Sequence, residues 1–263
     1  MISLQHYLKL MLQEEYRKKH LALKKLNSTP RYTLTTTNIL GTEISLVDSA
    51  SFIFMYKEIL ESQIYKFKTN SCTPIIIDAG ANIGLSTLYF KQLYPQSKII
   101  AFEPDTRVFA ALKENIAAFS LTNVDLVNKA VWSSETILKF MSEGADAGRI
   151  VQVDKSKEIQ EVSTIRLRDY LNQKVDFLKI DIEGAETEVI NDCQDLLINV
   201  DNLFVEYHSF VNQPQTLSNL IDILSRANFR FYIDAPIKCQ HPFYEHGQYM
   251  GMDQQLNIFA FRN

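Results

Sequence analysis

The 263-residue chain is short of several things, and each shortage removes a class of protein. It has no basic excess: the formal net charge is −4 and the isoelectric point is near 5.8. A protein that grips nucleic acid by charge shows the opposite balance, so no nucleic-acid partner is expected. No apolar run reaches the roughly eighteen residues of a membrane span. Charged residues interrupt the first stretch, which lacks the apolar centre of a signal peptide. The expectation is a cytoplasmic protein with no membrane span. Cys72, Cys193 and Cys239 are scattered, and no CxxC or Cys/His spacing suggests zinc, so three reduced thiols are expected. Gly and Pro number only 8 and 7, and neither a repeat nor a low-complexity tract appears, which excludes a solenoid or a linker-rich chain.

What is present is a globular balance, 46% apolar and 22% charged, enough to build a core without staples. Residues 1–26 have helical spacing, with Leu4, Tyr7, Leu8, Met11 and Leu12 on one face and a net positive charge. A solvated helix that caps the domain or pairs with a copy is favoured over a membrane-surface helix, because Glu14 and Glu15 interrupt the basic face. Residues 31–37 and 43–47 alternate as a hairpin, and 51–63 read as a helix. This front section, 1–70, holds no catalytic constellation. Its expected place is as an extension that covers the site or shapes an entrance to the second unit, 71–263.

From residue 74 onward strands alternate with helices, which predicts a three-layer α/β/α sandwich with a mostly parallel sheet. Strands are expected at 75–77, 98–102, 124–127, 175–180, 203–205, 229–233 and 256–261, with additional strands at 132–141 and 161–167. The polar stretch 142–157 reads as a surface loop. Ligands in such sheets sit at the carboxyl ends of the strands. Asp78, Glu103, Asp181, Glu206 and His208 all fall at or just past expected strand ends.

The centre of the pattern is 74–105, PIIIDAGANIGLSTLYFKQLYPQSKIIAFEPD. A buried strand runs into a turn with Gly80 and Gly84, then a helix, then a second strand ending at Glu103. An acidic residue nineteen positions after Gly84 can accept both hydroxyls of a ribose, and the Gly-rich turn brings backbone close to a nucleoside. A dinucleotide fingerprint requires G-x-G-x-x-G, but Asn82 holds the middle position here. Asp78 beside the turn would repel a pyrophosphate and suits a cation. S-adenosylmethionine carries a sulfonium, an ammonium and no phosphate, so it is the expected cofactor.

The Asp-x-Gly-x-x-x-Gly turn with its later Glu resembles the first two motifs of class I S-adenosylmethionine-dependent methyltransferases. FEPD at 102–105, DFLKIDIEGAE at 176–186 and VEYH at 205–208 extend the likeness, and the chain resembles the FkbM family over residues 40–263. The resemblance implies O-methyltransfer to sugar or small-molecule hydroxyls. It also implies a Rossmann-like, seven-stranded, mostly parallel sheet whose last strand is antiparallel. On this reading Gly80 and Gly84 admit the cofactor, Glu103 holds the ribose, Asn82 lies toward the methionine end, and Asp181 stands beside the reactive methyl. Asp105 either contacts the adenine edge or caps a helix. Asn128 is a candidate to flank the adenine.

His208 is the candidate base, with Glu206 orienting it or binding the acceptor. Lys179 and Asp181 share a strand face, so an ion pair competes with a catalytic role for Asp181. Glu186 is explained by the macrodipole of the helix it starts. Mg²⁺ held by Asp181, Glu206 and His208 is weighed below the base reading. His241 and Tyr244 either reach over the pocket or are surface residues. A silent methyltransferase-fold binding protein is disfavoured by the intact turn, Glu103 and the Asp181 block, and an NAD-dependent oxidoreductase by Asn82 and the missing Ser/Tyr-x-x-x-Lys set.

Overall fold

The structure is a computed structural model and describes residues 13–141, 149–150, 159–245 and 250–262. In chain order, α1 (Glu14–Asn27) precedes the hairpin β1 (Thr35–Thr37) and β2 (Ile44–Leu46). The helix α2 (Ser49–Met55) widens without a break into a π-helical turn, Tyr56–Glu61. Then come β3 (Ile75–Ala79), α3 (Leu85–Leu93), β4 (Lys98–Phe102), α4 (Thr106–Ala118) and β5 (Val124–Val127). An inserted group follows: β6 (Ala130–Trp132), β7 (Ile137–Met141), β8 (Arg149–Ile150) and β9 (Ile159–Arg166). The chain closes with β10 (Val175–Ile180), α5 (Glu186–Cys193), β11 (Val200–Phe210), α6 (Leu217–Arg226), β12 (Arg230–Asp234) and β13 (Met252–Phe261).

The main sheet has seven strands in the order β12-β13-β11-β10-β3-β4-β5, as the three-layer expectation requires. Strand β13 is antiparallel to both its neighbours, and the other pairings are parallel. Period-two alternation decides which helix layer each residue feeds. Ile77, Leu178 and Ile180 join one core with Val189 and Ile190 of α5 and Leu220 and Leu224 of α6. Their neighbours Ile76 and Phe177 face the other way, into a core with Leu88 and Phe90 of α3. Phe52, Tyr65 and Phe67 of the front section lie in this second core. Each such side chain, fully buried, contributes about 1.5–3 kcal/mol.

Several boundaries differ from expectation, each for a physical reason. Strand β1 starts at Thr35 rather than 31. Tyr32 is turned aside, with φ 59° and its N–H donating to Asp48 Oδ1 at 2.7 Å. Asp48 also caps α2, which starts two residues earlier than expected. The 132–141 segment is two strands; Thr164 fixes the break between them, its Oγ1 donating to Ser134 O and accepting from Thr136 N, both at 2.7 Å. Strand β11 runs to Phe210, because β13 pairs along it from Asn202 onward; Glu206 and His208 therefore lie within it, opposite Asn257 and Gln255. Leu4, Tyr7, Leu8, Met11 and Leu12 lie outside the described residues, as does most of 142–157. Among the described residues no helix is long and apolar enough to cross a membrane.

Asn115 joins α4 to the front hairpin. Its Oδ1 accepts from Ser45 N at 2.7 Å, and its Nδ2 donates to Ser45 O at 3.0 Å and Ile83 O at 2.9 Å. Removing it leaves backbone groups unpaired. Asn115→Ala is expected to cost about 2–4 kcal/mol in urea unfolding. A loss below about 0.5 kcal/mol would mean that water replaces these bonds.

Candidate active site

The strand order makes the crevice. From β3 the chain returns through α3 to β4 on one side, and β10 lies on the other, so the general rule for such sheets puts a ligand crevice outside the carboxyl ends of β3 and β10, at the topological switch point. The turn after β3 fills one wall. Gly80, at φ +88°, sits so close to β10's end that a Cβ there would lie 1.8 Å from the Asp181 carbonyl oxygen. Gly84, at φ +92°, starts α3, and its Cβ would meet Leu112 Cδ1 at 2.6 Å. Both glycines are demanded by the protein's own packing.

Asp78 lies under this turn rather than on its surface. It is 0% exposed, and its Oδ2 accepts from Ser86 Oγ at 2.6 Å and Thr87 Oγ1 at 2.8 Å. Lys179 Nζ is 3.6 Å from Asp78 Oδ1, 3.1 Å from Asp181 Oδ2, and donates to Gly80 O at 2.7 Å. Burial alone would draw the Lys179 proton off; the Asp181 and Asp78 charges outweigh it and raise the group to about 12.

Glu103 stands at the end of β4 against the turn. Its Oε2 accepts from Asn82 N at 3.1 Å and its Oε1 from Asp105 N at 2.9 Å. Burial pushes its carboxyl up to about 8, with the Asp105 charge adding to the rise. Asn82, at φ 50°, returns its Oδ1 to Ile83 N at 2.7 Å. Asp105 is a helix cap, accepting from Arg107 N and Val108 N at 2.8 and 3.1 Å. Asn128 donates to Glu103 O at 2.8 Å, closing the same corner.

The opposite wall gathers around His208. Its Nδ1 is 3.0 Å from Glu186 Oε1, and its Nε2 is 3.6 Å from both Glu183 Oε2 and Glu206 Oε1. Glu186, not Glu206, is the residue that reaches Nδ1. Gln255 donates its Nε2–H to Glu206 Oε1. The donor atoms of Asp181, Glu206 and His208 lie within 4.8 Å of one another. Burial lowers the affinity of His208 for its proton, but the Glu183 and Glu186 carboxylates more than offset this and raise it well above the ordinary value. Burial, then the Glu206 charge, raises Asp181; burial raises Glu183 far more.

The sequence reading missed Glu58. It lies on the π-helical turn, where burial and the charges of Glu206, Asp181 and Asp234 push it to about 7. A single extra residue in a helical turn leaves no clear mark in hydrophobic spacing, so only the structure finds it. His241 and Tyr244 are exposed on the β12–β13 connection.

Residues 78–231 match the profile of the Methyltransferase FkbM domain. The chain belongs to the FkbM methyltransferase family. A relative in Sordaria araneosa, Methyltransferase sdnD, is 34% identical over 176 residues, covering 52% of this chain and 67% of that one. The 2-O-methyltransferase NoeI of Sinorhizobium fredii is 27% identical over 156 residues, covering 51% and 63%. The crystal structure of Methyltransferase FkbM from Methylobacillus flagellatus shares the fold, with a TM-score of 0.51 at 15% identity over 92% of this chain and 59% of that one.

In this FkbM methyltransferase the two glycines differ in what a methyl group would strike. Gly80→Ala meets rigid backbone, whereas Gly84→Ala meets the end of a flexible leucine. Gly80→Ala is expected to cost at least about 3 kcal/mol and Gly84→Ala about 1–2 kcal/mol, compared by urea unfolding. Equal costs would show that the turn does not need its contact with Asp181.

Proposed function

We propose that the enzyme transfers a methyl group from S-adenosylmethionine to a hydroxyl of a small molecule or glycan. The observation that carries this is the meeting of the Glu103 turn and the His208 cluster across one crevice, linked by Lys179. The 2-O-methyltransferase among the relatives supports a hydroxyl acceptor.

The cofactor fits the residues present. A carboxylate offers about four acceptor positions, and Glu103 gives one from each oxygen to backbone, leaving capacity for two ribose hydroxyls. The acidic wall of Asp181, Glu183 and Glu206 suits a cation. When bound, S-adenosylmethionine supplies an electrophilic methyl whose bond to sulfur breaks with its electron pair left on sulfur. Holding the reactants in line contributes about 7–11 kcal/mol. His208 Nε2 takes the proton that the acceptor oxygen loses as it bonds to carbon, an assistance of about a hundred- to ten-thousand-fold.

Mg²⁺ fits the cluster poorly. A hard cation that keeps its waters prefers oxygen donors. The Glu183 and Glu186 carboxylates strengthen the hold of His208 on its proton, and a metal-ligating nitrogen must give that proton up. No step is assigned to a metal.

Calorimetric titration with S-adenosylhomocysteine tests the cofactor. Glu103 is largely protonated below about 8 in the free protein, and accepting ribose hydroxyls favours the ionised form. Affinity is therefore expected to rise with pH and level off above about 8. Glu103→Ala should weaken binding at least about tenfold. Binding of NAD in place of S-adenosylhomocysteine would sink the assignment.

The base is tested by turnover. His208→Ala is expected to lower kcat about a hundredfold or more with cofactor affinity kept. In the wild type the rate is expected to rise with pH, because the neutral, proton-accepting ring accumulates only as pH passes the raised pKa of His208. A full rate in the variant moves the role to another residue.

A further inference from the structure

Glu186 and Glu188 both open α5, where acids favour the helix dipole. They are used differently. Glu188 is exposed and accepts from Ser133 Oγ at 2.8 Å at the surface. Glu186 is 1% exposed, a placement that helix stabilisation does not require and that costs several kcal/mol unless the charge is paired. Its Oε1 accepts from Gly184 N at 2.9 Å and Ile182 N at 3.3 Å, and the same oxygen lies 3.0 Å from His208 Nδ1. The two backbone donors come from the turn that ends β10, so the carboxylate is fixed before it meets the imidazole.

An ionised carboxylate only accepts hydrogen bonds. Nδ1 must therefore carry a proton in both charge states of the ring, and the neutral ring keeps its lone pair on Nε2. That nitrogen faces Glu206 and Glu183, the side on which Asp181 also lies. We infer that Glu186 is a positioning residue, fixing the orientation and tautomer of His208 so that Nε2 is the proton-accepting atom. The inference rests on His208 as base in the proposed reaction. The charged groups facing His208 are Asp181 and Glu183 from the segment after β10, Glu186 from α5 and Glu206 from β11 itself; β13 presents neutral Gln255. Of these, Glu186 alone is within hydrogen-bond distance of Nδ1 among the described residues.

Glu186→Gln keeps an oxygen for the Gly184 and Ile182 N–H groups and removes the charge. The expected result is a fall in kcat of about tenfold to a hundredfold with cofactor affinity unchanged. The rising limb of the pH–rate profile should move to lower pH by about one unit or more, since a charge that held the proton on His208 is gone. A wild-type profile, or an unchanged kcat, overturns the inference. Nitrogen NMR of the wild-type protein provides a test independent of the variant's folding and of turnover. His208, assigned by comparison with His208→Ala, is expected to carry its proton on Nδ1 when neutral. A neutral ring protonated on Nε2 overturns the pairing with Glu186. A full rate in His208→Ala overturns instead the base reading on which the catalytic consequence rests.

Discussion

A buried ammonium holds the crevice together. Lys179 lies in β10 with almost no exposure, and a charge so placed is tolerated only with partners. Its partners come from both walls. It donates to the Gly80 carbonyl in the turn and lies between Asp78 under that turn and Asp181 at the mouth of β10. The turn cannot move away from β10 without exposing an unpaired cation to the interior. It cannot move closer either, because Gly80 already stands against the Asp181 carbonyl. The spacing of the site is set from two directions by one lysine and one glycine.

The ion pair and the functional reading of Asp181 are therefore compatible. Its Oδ2 answers Lys179, while the side chain remains partly open to the crevice and feels Glu206 and His208. A similar economy applies to Asp78. Its Oδ2 is used to hold the first turn of α3 through Ser86 and Thr87, and Lys179 faces its other oxygen.

The sheet was legible in the sequence because strands buried on both faces read as apolar runs, as Ile75, Ile76 and Ile77 do. The strand-end rule placed Asp78, Glu103 and Asp181 at the carboxyl ends of β3, β4 and β10, where they lie, whereas Glu206 and His208 lie within β11. What it could not provide was the partner of each. Glu186 is separated from His208 by 22 positions and meets it only through the parallel pairing of β10 with β11. A helix-start glutamate looks the same in sequence whether solvated, as Glu188 is, or buried, as Glu186 is. The length of β11 was also hidden: Glu206 and His208 read as residues beyond a strand end, until β13 was seen to pair alongside them.

The front section contributes more than cover. Tyr65 and Phe67 pack on Phe90, and both also pack on Phe177, so 56–67 is anchored to the main sheet through aromatic contacts at 4.8–6.3 Å. That anchorage fixes the widened turn that carries Glu58. Burial and the charges of Asp181 and Glu206 raise both Tyr65 and Glu58. Setting a half-buried carboxylate against two others opposes its ionisation, and such perturbed groups cluster at functional sites. Widened helical turns of this kind occur frequently at functional sites, because they re-aim one side chain without ending the helix. Burial and the charges of Glu206, Asp181 and Asp234 push Glu58 up to about 7, so the π-helical turn and the strand ends are coupled electrostatically.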